Sequence, residues 1–159
     1  MTGRADFTGD EWRVLIEAPN AAAMAVVLTD LAGWEYIEEV AAIFRFIREA
    51  GTRYPDNVLV QEVIADLLAP STQAHSHDDA EVSRRPVAQR VASQISRLTA
   101  AVAVLEAKGG ADTAGFKQFL HDLAAHVAAA ASEEPLGKGP KVSPKEKAFL
   151  THLESILKL

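Results

Sequence analysis

The chain has 159 residues, 48% of them hydrophobic and 24% charged, a balance that excludes disorder throughout and leaves enough apolar surface for one buried core. It has no cysteine, which excludes disulfides, thiolate metal ligands and a cysteine nucleophile together. The net charge of −6 argues against general nucleic-acid binding.

That charge is unevenly spread: residues 1–83 hold 5 Lys/Arg against 15 Asp/Glu, and residues 84–159 hold 11 against 7. Such asymmetry can dock two halves of a chain, pair it with another subunit, or simply mark two differently solvated surfaces. The opening Met1-Thr2-Gly3-Arg4-Ala5-Asp6 is polar and lacks the apolar core of a signal peptide, and the longest apolar run, Ala21 to Leu28, is too short to span a bilayer. The expectation is a soluble, cytoplasmic protein that binds neither membrane nor nucleic acid.

Taken in order, Phe7-Thr8-Gly9-Asp10-Glu11-Trp12 reads as a helix start. Thr8 caps, Glu11 completes a capping box three residues on, and Phe7 staples against Trp12. Pro19 predicts a stop near Ala18, with Asn20 capping a second, alanine-rich helix over residues 21–29. A third helix, Trp34 to Ala50, carries Ile37, Val40, Ala41, Phe44, Ile47 and Arg48 at mixed three and four spacing and is expected to end at Gly51. A fourth covers Val58 to Ala69 before Pro70, burying Leu59, Val63, Ile64, Leu67 and Leu68. Residues 71–85 lose the apolar pattern and predict a mobile loop.

Pro86 opens a long helix with Ala88, Val91, Ile95, Leu98, Val102 and Leu105 at alternating three and four spacing, ending at Gly109-Gly110. This seam is too short for a dimeric coiled coil and reads as an internal packing face. Asp112 or Thr113 caps the next helix, whose stripe is Phe116, Phe119, Leu120, Leu123 and Val127. Ser143-Pro144-Lys145-Glu146 is a second capping box with proline in the first turn. No segment alternates as a strand does. The fold class is therefore all-α, a single-domain bundle of about seven helices over residues 1–159.

An internal echo organises this bundle. The hairpin from Ala124 to Leu157 repeats that from Ala22 to Ala50, placing Glu39 on Glu146, Ile43 on Leu150, Phe46 on Leu153 and Ala50 on Leu157. The repeat puts Asp30, Glu39, Glu133 and Glu146 at the breaks and helix starts of its two copies, where four carboxylates can converge on a hard divalent cation through oxygen ligands. Glu146 has a competing role as the capping-box residue.

Other candidates are sparser. His75-Ser76-His77-Asp78-Asp79 is the densest set of metal-ligand types, in a segment read as a solvated loop. Asp122 and His126 stand four apart on one helix, where a carboxylate can orient an imidazole. An enzyme would need a pocket gathering these two with a carboxylate from another helix. Leu136 to Lys141, with Lys145 and Lys147, lacks the nucleotide-binding P-loop pattern and offers at most a small-anion turn. No nucleophile elbow is present, so no catalytic residue is assigned and no cofactor is expected outside the divalent-metal alternative.

Two resemblances follow from these residues. The opening Phe7-Thr8-x-x-Glu11-Trp12, with Ala18-Pro19 and Met24 to Val27, and the closing Val127 to Glu133, Val142-Ser143-x-x-Glu146 and final helix are similar to a group of uncharacterised bacterial helical proteins, which implies no activity. The duplicated small-residue helix, acidic break and Glu-bearing helix resembles tellurite-resistance TerB-like domains. That resemblance implies a pseudo-twofold helical fold that binds metal through acidic residues in bacterial stress systems. The expected function is a non-enzymatic interaction or stress-associated module that binds a protein partner or itself, with a TerB-like metal- or anion-binding domain as the alternative.

Overall fold

A computed structural model of the chain describes residues 1–29, 35–69, 85–108, 110–131 and 142–159, with residues 35–40 and 131 described by their backbone alone. The described residues form a short 3-10 turn, Arg4–Asp6, and six α-helices: α1 (Gly9–Thr29), α2 (Glu35–Arg53), α3 (Val58–Leu68), α4 (Val87–Lys108), α5 (Asp112–Ala131) and α6 (Pro144–Leu157). No strand occurs among them. Apart from Arg85, the loop expected near residues 71–85 lies outside the described residues.

Among the described residues six helices stand where seven were expected, because the first two are one. α1 begins as its sequence dictates: the Thr8 hydroxyl accepts from the Glu11 N–H at 3.3 Å, the Glu11 carboxylate accepts from the Thr8 N–H at 2.7 Å, and the Phe7 and Trp12 rings meet with centroids 6.0 Å apart. The helix then runs through Pro19 without a break. A proline inside a helix removes one ladder bond and costs about 3 kcal/mol. Continuity offsets that cost, since Trp12 and Leu15 before the proline and Ala21, Ala22, Ala23, Ala25, Val26 and Val27 after it are all buried in one core. Had the chain turned at Ala18, the two apolar stripes could not lie along the same neighbours.

α2 likewise passes Gly51 and ends at Arg53. α3 helps to close this end, because the Gln61 side-chain amide donates to the Gly51 carbonyl at 2.7 Å and to the carbonyl of Tyr54, just past the helix, at 2.9 Å. Pairing of this kind lets a helix end without a left-handed glycine.

α1 lies along α4 and α5, α2 lies along α5, and α6 packs on α5, α4 and α1. The second half of the α4 seam faces inward, with Leu98, Val102 and Leu105 buried in the common core, while Val91 and Ile95 are half-buried and Ala88 is exposed. The Lys108–Glu11 ion pair at 3.2 Å joins the end of α4 to the start of α1, and His121 approaches Glu154 at 3.3 Å between α5 and α6. Both pairs are antiparallel. The C-terminal ends of α1 and α5 therefore share one end of the bundle with the N-terminal ends of α2, α4 and α6.

At the opposite end the first residues form a latch. The Thr2 N–H donates to Asp112 at 2.5 Å, the Val58 N–H donates to the other Asp112 oxygen at 3.2 Å, and the Asn57 side-chain amide donates to the Asp112 carbonyl at 2.9 Å. Asn57 also caps α3 by accepting from the Val60 N–H at 2.9 Å. Gly115 leaves the room this requires: a Cβ there would sit 2.3 Å from the Asn57 amide nitrogen.

Candidate functional site

Of the four carboxylates proposed to meet at a cation, Asp30 and Glu133 lie outside the described residues, and Glu39 sits in α2 where only the backbone is described. Glu146 is described and is committed. Its carboxylate accepts from the Ser143 N–H at 2.8 Å while the Ser143 hydroxyl accepts from the Glu146 N–H at 3.2 Å, and the residue is only 2% exposed. No group of three His, Asp or Glu placed to hold a metal occurs among the described residues. His75, His77, Asp78 and Asp79, and the basic turn at Leu136 to Lys141, also lie outside them.

The capping box makes a local prediction. Ser143→Ala is expected to destabilise the protein by about 1 kcal/mol, read from the urea midpoint. Glu146→Gln keeps an acceptor at the third position and should cost less. Equal losses from the two would show that Glu146 acts through its charge and not through the box.

Asp122 and His126, four residues apart, are not partners. Asp122 accepts the Tyr54 O–H at 2.5 Å and the Gln118 side-chain amide at 2.7 Å. The imidazole beside it belongs to His121, whose Nδ1 lies 3.6 Å from Asp122 and whose Nε2 faces Glu154. Burial, and then the bond to the Asp122 carboxylate, push the Tyr54 phenol well above its ordinary value, so it stays a donor throughout the neutral range. Tyr54 and Asp122 are 68 positions apart, and nothing local in the sequence announces their meeting.

His126 instead rests on the Phe46 ring, centroids 5.2 Å apart, with Nε2 enclosed and unbonded. Burial first, then the Arg53 and Arg45 guanidiniums, hold its proton affinity below the ordinary value, with Glu49 acting in the opposite direction. The unfolded chain thus takes this proton more readily than the folded one. Stability is lost as pH falls below about 6.5, the unfolded histidine value. His126→Gln is expected to flatten the decline in melting temperature between about pH 7 and pH 5, and a slope identical to wild type would refute the assignment.

Two further features were invisible to local reading. An open cleft of about 340 Å³ is lined by Leu105, Glu106, Thr113, Lys117 and Lys158 among others. Its charged side chains are already paired: buried Lys117 bonds Glu106, and Lys158 reaches the same carboxylate at 3.7 Å. The Lys117 hydrogen bond holds the Glu106 carboxyl below the usual carboxylate range.

The second feature is the outer face of α2. Ala42, Ile43, Phe46, Ile47 and Ala50 are buried, while Ala41, Phe44, Arg45, Arg48 and Thr52 are exposed at helical spacing. Phe44 is 52% exposed. Arg53 continues the strip, bonding Glu49 at 2.9 Å and covering the Phe46 ring at 5.0 Å.

No family model, no curated protein and no solved structure matches this chain. What it does must be argued from the arrangement itself. Among the described carboxylates, Asp66, Asp112 and Asp122 each accept a hydrogen bond that ties one part of the fold to another, while Glu146 closes its own capping box. Chemistry of that kind orders helices. The outer face of α2 is different, since Arg45 and Arg48 there make no hydrogen bond or ion pair among the described residues.

Proposed function

We propose that this chain is a non-enzymatic helical interaction module, a soluble bacterial protein that binds a protein partner or a second copy of itself. The observation that carries the reading is Phe44, a large apolar side chain 52% exposed on a helix whose opposite face is buried. No helix among the described residues is long and apolar enough to cross a membrane, so a bilayer-spanning role does not explain that exposure.

The test is a photo-crosslinker placed at position 44, with one at Leu68, 42% exposed on α3, as a second reporter. Saturable adducts competed by unlabelled protein, or concentration-dependent assembly in light scattering, are expected. Absence of any adduct from either position, with a monomer at all concentrations, would reject the module reading.

A second reading is the TerB-like one, two pseudo-repeated hairpins with a divalent cation at their acidic breaks. It is supported by the topology, in which the end of α1, the start of α2, the end of α5 and the start of α6 share one end of the bundle, with α2 and α6 both packed on α5. Its partners in the repeat also behave alike, since Phe46 and Leu153, and Ala50 and Leu157, are all buried. Metal-stripped protein is then expected to melt several degrees higher with calcium, magnesium, manganese or zinc, and Asp30→Asn or Glu146→Gln should abolish the rise. No shift with any ion would remove this reading.

A further inference from the structure

The exposed strip of α2 is more specific than an apolar patch. Ala41, Phe44, Arg45, Arg48 and Thr52 occupy one face at i, i+3, i+4, i+7 and i+11. Residues 41–53 contain three arginines and one glutamate in a chain with 22 acidic against 16 basic residues. Among the residues whose side chains are described the charges balance, 13 Asp/Glu against 13 Lys/Arg, and arginine pairs readily with carboxylates. Yet Arg53 alone of the three is paired, with Glu49. Arg45 and Arg48 make no ion pair among the described residues, and both are exposed. The positive field is felt locally, because Arg45 and Arg53 both disfavour protonation of His126 on the adjoining helix.

We infer that the outer face of α2 is the docking surface for an acidic amphipathic helix of a partner protein, whose apolar side chains cover Phe44 and whose carboxylates pair Arg45 and Arg48. The inference rests on the interaction-module reading and names the partner's chemistry. An exposed aromatic flanked by unpaired guanidiniums is the composition enriched at interface anchors, where arginine and aromatic side chains carry much of the binding energy. Free guanidiniums present a planar donor fork that matches a carboxylate in two bonds.

Other occupants fit less well. A nucleic-acid backbone needs a run of phosphate contacts that two unpaired arginines on an acidic chain do not supply. An anionic bilayer rewards a basic helix with several apolar side chains to insert, and this strip offers one. A second copy would have to bring an acidic face, and on the exposed side of α1 Arg13 stands between Asp10 and Glu17.

The test is a titration by fluorescence anisotropy. The probe is a labelled amphipathic peptide with leucine on one face and glutamate flanking it, run beside the same peptide with lysine for glutamate. The acidic peptide is expected to bind, with affinity falling as salt rises, and the lysine peptide is not. Joint replacement Arg45→Glu with Arg48→Glu should weaken binding roughly tenfold or more, and Phe44→Ala several-fold. Arg45→Lys with Arg48→Lys should retain part of it, and Arg13→Glu on α1 should leave it unchanged. All the substituted side chains are exposed, and thermal melts check that each variant folds.

Equal binding of both peptides, binding untouched by the double reversal, or no binding of the acidic peptide would overturn the proposal. So would tighter binding of phosphatidylserine vesicles or single-stranded RNA, or a homodimer broken by Phe44→Ala. If crosslinking finds a partner through Leu68 while the acidic peptide fails, the module reading stands and the α2 surface alone falls.

Discussion

Phe119→Ala is expected to lower the unfolding free energy by about 3–5 kcal/mol, the largest single effect anticipated in this protein. Phe119 is fully buried and sits among three rings: Phe116 at 5.8 Å, Tyr54 at 5.7 Å edge-on, and Phe46 at 6.1 Å between centroids. These belong to α5 itself, to α2 and to the residue that follows α2, so the ring joins two helices and the entry to α3. Truncation removes its transfer energy and leaves a cavity that three rigid rings cannot close. At about 2–4 °C per kcal/mol for a chain of this size, the melting temperature should fall by roughly 10 °C. Urea melts measure it directly, and a loss below about 1 kcal/mol would mean the aromatic cluster is not enclosed.

The second large effect is polar. Asp112→Ala is expected to cost about 2–4 kcal/mol, because two buried or half-buried backbone N–H groups, those of Thr2 and Val58, lose their acceptor at once. Asp112 is 5% exposed, so water cannot fully replace the carboxylate. Asp112→Asn keeps one acceptor oxygen and should lose about half as much. Because the latch joins the first residues to α3 and α5, hydrogen exchange in the Asp112→Ala variant should accelerate first at the start of α3. Uniform acceleration over all the helices, or a loss under about 0.5 kcal/mol, would show that the latch contributes nothing local.

These two residues show how unevenly the molecule can be read from its sequence. Phe119 belongs to a stripe, Phe116, Phe119, Leu120, Leu123 and Val127, whose spacing announces burial, and all five are buried. The partners that make Phe119 costly to remove come partly from another helix, and no spacing rule names them. Asp112 was legible only as a helix start. Its bond to Thr2 spans 110 positions, and such a bond leaves no local trace.

Candidate sites suffered the same limit. Asp122 and His126 were paired because they are four apart on one helix, yet the structure gives Asp122 to Tyr54 and lays His126 on Phe46. Helical spacing says that two side chains can meet, and a third group arriving from α2 decided that they do not. On α2 the spacing misleads: Ile37, Val40, Ala41, Phe44, Ile47 and Arg48 recur at helical intervals, yet Ala41, Phe44 and Arg48 are exposed. A basic helix face is ordinary in sequence, and it becomes informative only once its carboxylate neighbours are known to be lacking among the described residues.

The sequence by itself determined the helical class, both capping boxes, the apolar stripe of α5 and most helix boundaries, because each depends on side chains within about one turn of one another. Tertiary structure alone decided that α1 runs through Pro19, that Gln61 from α3 lets α2 pass Gly51, which carboxylates are spent on tying helices together, and which face of α2 no other described residue covers. In each of those cases a local preference, about 3 kcal/mol for the proline, competes with burial or bonding supplied by residues far away in the chain, and the distant groups prevail.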